Sequence, residues 1–204
     1  MKATVAGALL FSSSLLFGAP CHANNSLANL LNSQVTHQQS IGKGVRLVLE
    51  NYPGAADEIL QLAFRQYPDH IEEIVRSAAA INPAMSVLAV EYALQQPSVS
   101  AAAIVKAAMA GDSACADMVI TEAVSESPED FQDIVAVAIS SEPLEVDSIV
   151  QTAAEADPSQ LSALLYLVEK LVPEQLDAIM ESLAAMFPDR QAELAEVKEE
   201  NEQQ

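Results

Sequence analysis

Eight prolines, Pro53, Pro68, Pro83, Pro128, Pro143, Pro158, Pro173 and Pro188, stand on one grid with fifteen-residue spacing. The two remaining grid points, Ser98 and Ser113, fall between Pro83 and Pro128 without a slip of register. A helix breaker that recurs at a fixed interval restricts the chain to repeated elements shorter than fifteen residues.

The residues between grid points identify the element. With each grid point as zero, position +10 reads Ala63, Ala78, Ala93, Ala108, Ala123, Ala138, Ala153, Val168 and Leu183. Position +6 reads Ile59, Ile74, Ala89, Ile104, Val119, Ile134, Ile149, Leu164 and Ile179. Position +7 is equally apolar, from Leu60 to Met180, and position +3 includes Ile71, Phe131, Val146, Leu161 and Leu176. Positions +3, +6, +7 and +10 are i, i+3, i+4 and i+7, one stripe of an α-helix. Position +8, from Gln61 and Arg76 to Glu181, is mostly polar and faces outward. Each unit therefore predicts one helix of about twelve residues, roughly 18 Å long, followed by a tight turn.

Proline suits the first helical position, where its missing N–H has no helical partner. The residue before it is pushed out of the α region, which closes the preceding helix. Asn82, Asp112, Ser127 and Asp157 occupy that place and predict N-caps; Tyr52, Tyr67, Val172 and Phe187 predict packing between turns instead. Asp57, Glu58, Asp69, Glu72, Glu73, Asp117, Glu129, Asp130, Asp133, Asp147, Glu174 and Asp177 fall in the first turns, where they favour the helix dipole.

A helix of this length is marginal alone in water and must bury its stripe on neighbours. Short turns make successive helices antiparallel, so the units stack as helical hairpins of about thirty residues. The expectation is an all-α fold: an α-solenoid of about nine to ten fifteen-residue single-helix repeats with degenerate capping helices at both ends. Aspartates at position +4 in alternate units, Asp57, Asp117, Asp147 and Asp177 with Val87 the exception, suggest that alternate helices meet different surroundings. The repeat domain spans residues 38–197. It opens with a degenerate unit carrying Ile41, Val45, Val48 and Leu49 and is preceded by a linker or short docking helix at 24–37. Residues 198–204 form a charged tail expected to fray.

The architecture resembles α-solenoids built from helical hairpins, in the general manner of tetratricopeptide-type repeats. The resemblance is to the class: fifteen residues is less than half of their 34-residue unit, and the Trp, Gly and Tyr landmarks are missing. No functional residue is carried over.

Lys2, the apolar stretch 3–17 and the small residues of "GAPCHA" read as a secretory leader, residues 1–23, cut after Ala23. The apolar stretch is short for a membrane span, and no second one follows, so no integral span is expected after cleavage. An uncleaved anchor, or a lipid-modified Cys21, is the alternative. With Cys21 removed, Cys115 is the single thiol and no internal disulfide supports the fold. The formal charge is −20, and the sequence displays no basic patch. Nucleic acid and anionic lipid surfaces are disfavoured as partners.

Few residues offer chemistry. His37 and His70 remain after the leader, and "DHIEE" (Asp69–Glu73) reads more simply as a charged helix N-terminus than as a metal site. "SESPEDFQD" (Ser125–Asp133), with Glu122 one turn before, is the densest acidic stretch, yet it lacks the pattern of a calcium loop. "GKG" (Gly42–Gly44) lacks the rest of a phosphate loop. No catalytic, cofactor-binding or metal-ligating residue is assigned. The expected function is a non-enzymatic, acidic interaction or scaffold protein, exported to the periplasm or the medium. Its expected partners are a protein, a peptide or another copy of itself. The alternative is an amphipathic lipid-associating protein of the envelope.

Overall fold

The computed structural model describes residues 21–192 and Leu194. The stretch up to Pro20 and the tail at 198–204 lie outside them. Among the described residues the protein is all-α, with eleven α-helices and no strand. They are α1 (Cys21–Gln38), α2 (Ile41–Asn51), α3 (Ala56–Gln66), α4 (Ile71–Ala79), α5 (Pro83–Leu94), α6 (Ala101–Met109), α7 (Ala116–Glu126), α8 (Phe131–Ser141), α9 (Val146–Ala156), α10 (Leu161–Leu171) and α11 (Leu176–Met186).

The fifteen-residue grid sets the helix starts, but three residues later than expected. Eight of the nine helices α3–α11 begin at grid position +3; α5 alone begins on its proline. In most units the proline instead opens a single 3-10 turn, as at Pro53–Ala55, Pro68–His70, Pro128–Asp130 and Pro158–Gln160. The residue before the proline explains the difference. Tyr67 donates its N–H to Ala63 O at 2.8 Å, closing α3, and its own carbonyl accepts from His70 N at 3.0 Å, opening the next turn. Ser127, Asp157, Val172 and Phe187 repeat both bonds. Their φ values, from −120° to −144°, lie outside the helix, as a residue before proline requires. One residue thus ends a helix and starts a turn.

The expected side-chain caps form at Asn82, which accepts from Met85 N, at Asp112, from Ala114 N, and at Asp157, from Ser159 N. Ser127 makes no such bond and holds its place through its two backbone bonds alone. Tyr67, Val172 and Phe187 pack on the core, whereas Tyr52 is 50% exposed.

The apolar columns are the core. Positions +6 and +10 are buried in all nine units from Ile59 to Leu183, and +7 in every unit except at Met180. A fifth column, +11, joins them through Phe64, Ala79, Met109, Val124, Ile139 and Ala154. The buried face is therefore wider than the predicted stripe and has the usual width for a helix packed on more than one neighbour.

Helices pack in sequence order, and each also packs on the helix two places further on. α2, α4, α6, α8 and α10 form one row, and α3, α5, α7, α9 and α11 the other. Long-range side-chain hydrogen bonds follow this thirty-residue beat. Tyr67 bonds Asn32, Tyr92 bonds Asp57, Ser148 bonds Asp117, Gln151 bonds Ser182, and Arg190 bonds the Pro158 carbonyl, over 31 to 35 residues. Asp57 and Asp117 are thus acceptors within the odd-numbered row, which gives the alternate-unit aspartates a structural role.

α1 packs on α2 and α3, burying Leu31. The approach is close at Gly44, where an added Cβ would stand 2.6 Å from the Cα of Val35. On the α4 side of α2, a Cβ on Gly42 would collide with Ser77 Oγ. The "GKG" glycines are packing residues.

Candidate interaction surface

The charged "DHIEE" stretch holds one helix to another. Glu73, on the first turn of α4, accepts from the Gly42 N–H at 2.8 Å and from Ser40 Oγ at 3.0 Å. Ser40 in turn caps α2 by accepting from Lys43 N at 3.2 Å. The other Glu73 oxygen lies 3.3 Å from His70 Nδ1. The Gly42 N–H, with help from Ser40 and His70, holds the Glu73 carboxyl below the usual carboxylate range, against a partial burial that pushes it up. Among the described residues no three His, Cys, Asp or Glu side chains converge as a metal ligand set. This includes the acidic stretch Ser125–Asp133, whose Glu129, Asp130 and Asp133 line a shallow cleft with Gln160.

Beside Glu73 lies a cleft of about 550 Å³ between the start of α4 and the link into α6, lined by His70, Glu73, Arg76, Ser98, Ser100 and Ile104. It opens where the repeat changes. Pro68–His70 forms a 3-10 turn ahead of α4, but no such turn precedes α6. There Pro97 is followed by Ser98 at φ 62°, the pattern of a type II turn. A second cleft, of about 280 Å³, adjoins the link between α8 and α9, which also lacks a 3-10 turn, at Glu142 and Glu145.

Cys115 is 2% exposed and its Sγ donates to Asp112 Oδ2 at 3.4 Å. Burial, then the Asp112 carboxylate, push the thiol up to about 11. It is a free, protonated and chemically quiet group.

The chain has a basic row that a linear reading does not display. Arg46, Arg76 and Lys106 share position +8 on α2, α4 and α6, three successively packed helices, and all three are exposed. The odd-numbered row carries Gln61, Glu91, Thr121, Gln151 and Glu181 at the same position. Sequence order interleaves the two rows and conceals the difference.

The chain matches no protein-family model, and no match is found among curated proteins or solved structures. Among the described residues no helix is long and apolar enough to cross a membrane.

Proposed function

We propose that this chain is an α-solenoid that acts as a non-enzymatic interaction or scaffold module, exported to the periplasm or the medium. The observation that carries the reading is the thirty-residue beat: equivalent helices pack on one another, and side-chain hydrogen bonds join residues 31 to 35 apart. A repeat of this kind offers an extended surface rather than one enclosed site. The cleft between α4 and the α6 link is open and mostly polar, suited to a segment of a partner. The leader-like residues 1–23 support export. The lipid-associating alternative ranks second, because the apolar stripe is already covered by neighbouring helices.

Photo-cross-linking in the native envelope or medium tests the reading. A cross-linker at Val99, in the cleft, is expected to trap a discrete adduct, and one at Thr121, on the other row, is not. No adduct from Val99, together with hydrolase turnover that one carboxylate substitution abolishes, would overturn it.

A further inference from the structure

The two rows of helices end differently. Arg190 bonds the Pro158 carbonyl at 2.6 Å, which seats the unit opened by Pro188 on the unit opened by Pro158. Leu194, at position +6 of that last unit, is buried, so the even-numbered row is covered beyond α10. Among the described residues no helix follows α11 in the odd-numbered row.

The helices before α11 show which of its faces is left open. Tyr92 reaches back to Asp57, Ser148 reaches back to Asp117, and Gln151 reaches forward to Ser182. Positions +4 and +8 of an odd-row helix therefore face the next helix of that row. Positions +7 and +11 complete the same face, because +4, +7, +8 and +11 are i, i+3, i+4 and i+7. On α11 these four are Asp177, Met180, Glu181 and Ala184. Asp177 and Glu181 are exposed, and Met180 and Ala184 are half-buried. α11 fully buries Ile179 and Leu183, whereas each of α7, α8, α9 and α10 buries five residues.

Charge selects what fits this face. Residues 111–192 carry seventeen Asp and Glu against two Lys and Arg. The chain's own residues 195–204 carry four Glu against Lys198, the same sign as the face. The α11 of a second copy would set like charges against each other. The α1 of a second copy, at the opposite end of the array, exposes Ser26, Asn29, Ser33 and His37, with neither an apolar stripe nor Lys or Arg.

We propose that the outer face of α11 docks a cationic amphipathic helix of a partner protein, which takes the place of the next helix in the odd-numbered row. The inference rests on the interaction-module reading above and names the kind of partner. The incoming helix lays apolar residues on Met180 and Ala184 and sets Lys or Arg beside Asp177 and Glu181, with anchors at i, i+3, i+4 and i+7. The acidic half of the array steers cations to the face. The apolar contact sets the register.

Fluorescence anisotropy at physiological salt tests this, with a labelled Leu/Lys peptide of about five helical turns and a scrambled peptide of the same composition. The purified chain is expected to bind the amphipathic peptide at least fivefold more tightly than the scramble. The double change D177N/E181Q, and separately M180Q, are each expected to weaken binding at least fivefold with unchanged helicity by circular dichroism. The double change E129Q/D133N removes the same charge from the densest acidic stretch and is expected to change binding less than twofold. D177N/E181Q alters exposed positions alone, so its result stands even where M180Q loosens α11.

Equal binding of the two peptides, or an equal loss in D177N/E181Q and E129Q/D133N, would overturn the proposal, because either means general attraction of cations to an acidic chain. A wild-type dimer in sedimentation that D177N/E181Q or M180Q disperses would assign the face to a second copy. Tighter peptide binding after removal of residues 195–204 would assign it to the chain's own tail. Either result overturns the partner assignment. If the peptide fails to bind while Val99 still traps its adduct, the scaffold reading stands and this contact falls.

Discussion

Glu73 on α4 accepts a hydrogen bond at 2.8 Å from the backbone N–H of Gly42, the second residue of α2. A side chain from one unit thereby caps the helix of a unit 31 residues earlier. The carboxylate meets an unpaired helical N–H and the positive end of the helix dipole together.

The bond predicts an acid-sensitive contact between α2 and α4. The Glu73 carboxyl is held below its ordinary range, first by the Gly42 N–H. Its contribution is therefore full above the ordinary carboxylate pKa and is lost as pH falls through the lowered value. Glu73→Ala is expected to cost about 0.5–2 kcal/mol at pH 7, the range of a lost cap, towards the lower end because the side chain is 39% exposed. Urea midpoints at pH 7 and pH 3 measure it: the gap between wild type and variant should narrow in acid. A gap that is constant with pH would remove the charged carboxylate from the explanation.

The two serines on the proline grid predict opposite outcomes. Ser98 has φ 62°, which proline cannot adopt and glycine adopts freely. Ser98→Pro would place proline on its grid point yet is expected to destabilise by about 3 kcal/mol or more. Ser98→Gly should stabilise by roughly 0.5–1 kcal/mol. Ser113 opens a 3-10 turn in the place proline holds elsewhere, so Ser113→Pro should stabilise by about 0.4–1 kcal/mol. Thermal unfolding of the three variants checks the ordering.

The sequence exposes whatever repeats locally. Columns +6, +7 and +10 are legible because each is read within one helix, and they form the core. Column +11 escapes because Glu169 occupies it in one unit and the neighbouring stripe already satisfies a four-position pattern. The 3-10 turns escape because proline fits the first position of either helix type. Glu73 on Gly42 and the line Arg46–Arg76–Lys106 join residues about thirty apart, on alternate helices. Neither follows from propensity or periodicity until the rows are known.

Ser86 is fully buried on column +3 of α5, and its Oγ has no hydrogen-bond partner. The same column carries Ala56, Ala101 and Ala116 in α3, α6 and α7, so the space accommodates a methyl group. Ser86→Ala removes a desolvated hydroxyl and raises helix propensity. It is expected to stabilise by about 1 kcal/mol, read as a higher urea midpoint with an unchanged slope. A loss of stability would mean that the hydroxyl has a bonding role in solution.

Glu122 is half-buried on α7, and burial, then the charges of Glu91 and Glu126, raise its pKa. A raised acid binds its proton more tightly in the folded state, so its effect runs opposite to that of Glu73. Folding is favoured below the ordinary carboxylate pKa, and that advantage is lost as pH rises through the raised value. At pH 7 the charged Glu122 therefore opposes the packing of α7 on α5 and repels Glu126 one turn away. Glu122→Gln is expected to stabilise the protein at pH 7 by a few tenths of a kcal/mol, the scale of a like-charge pair on a helix. Its effect should fade below pH 4, where wild type carries the proton. Parallel urea titrations at the two pH values decide the matter, because Glu73→Ala and Glu122→Gln must both converge on wild type in acid, but from opposite sides.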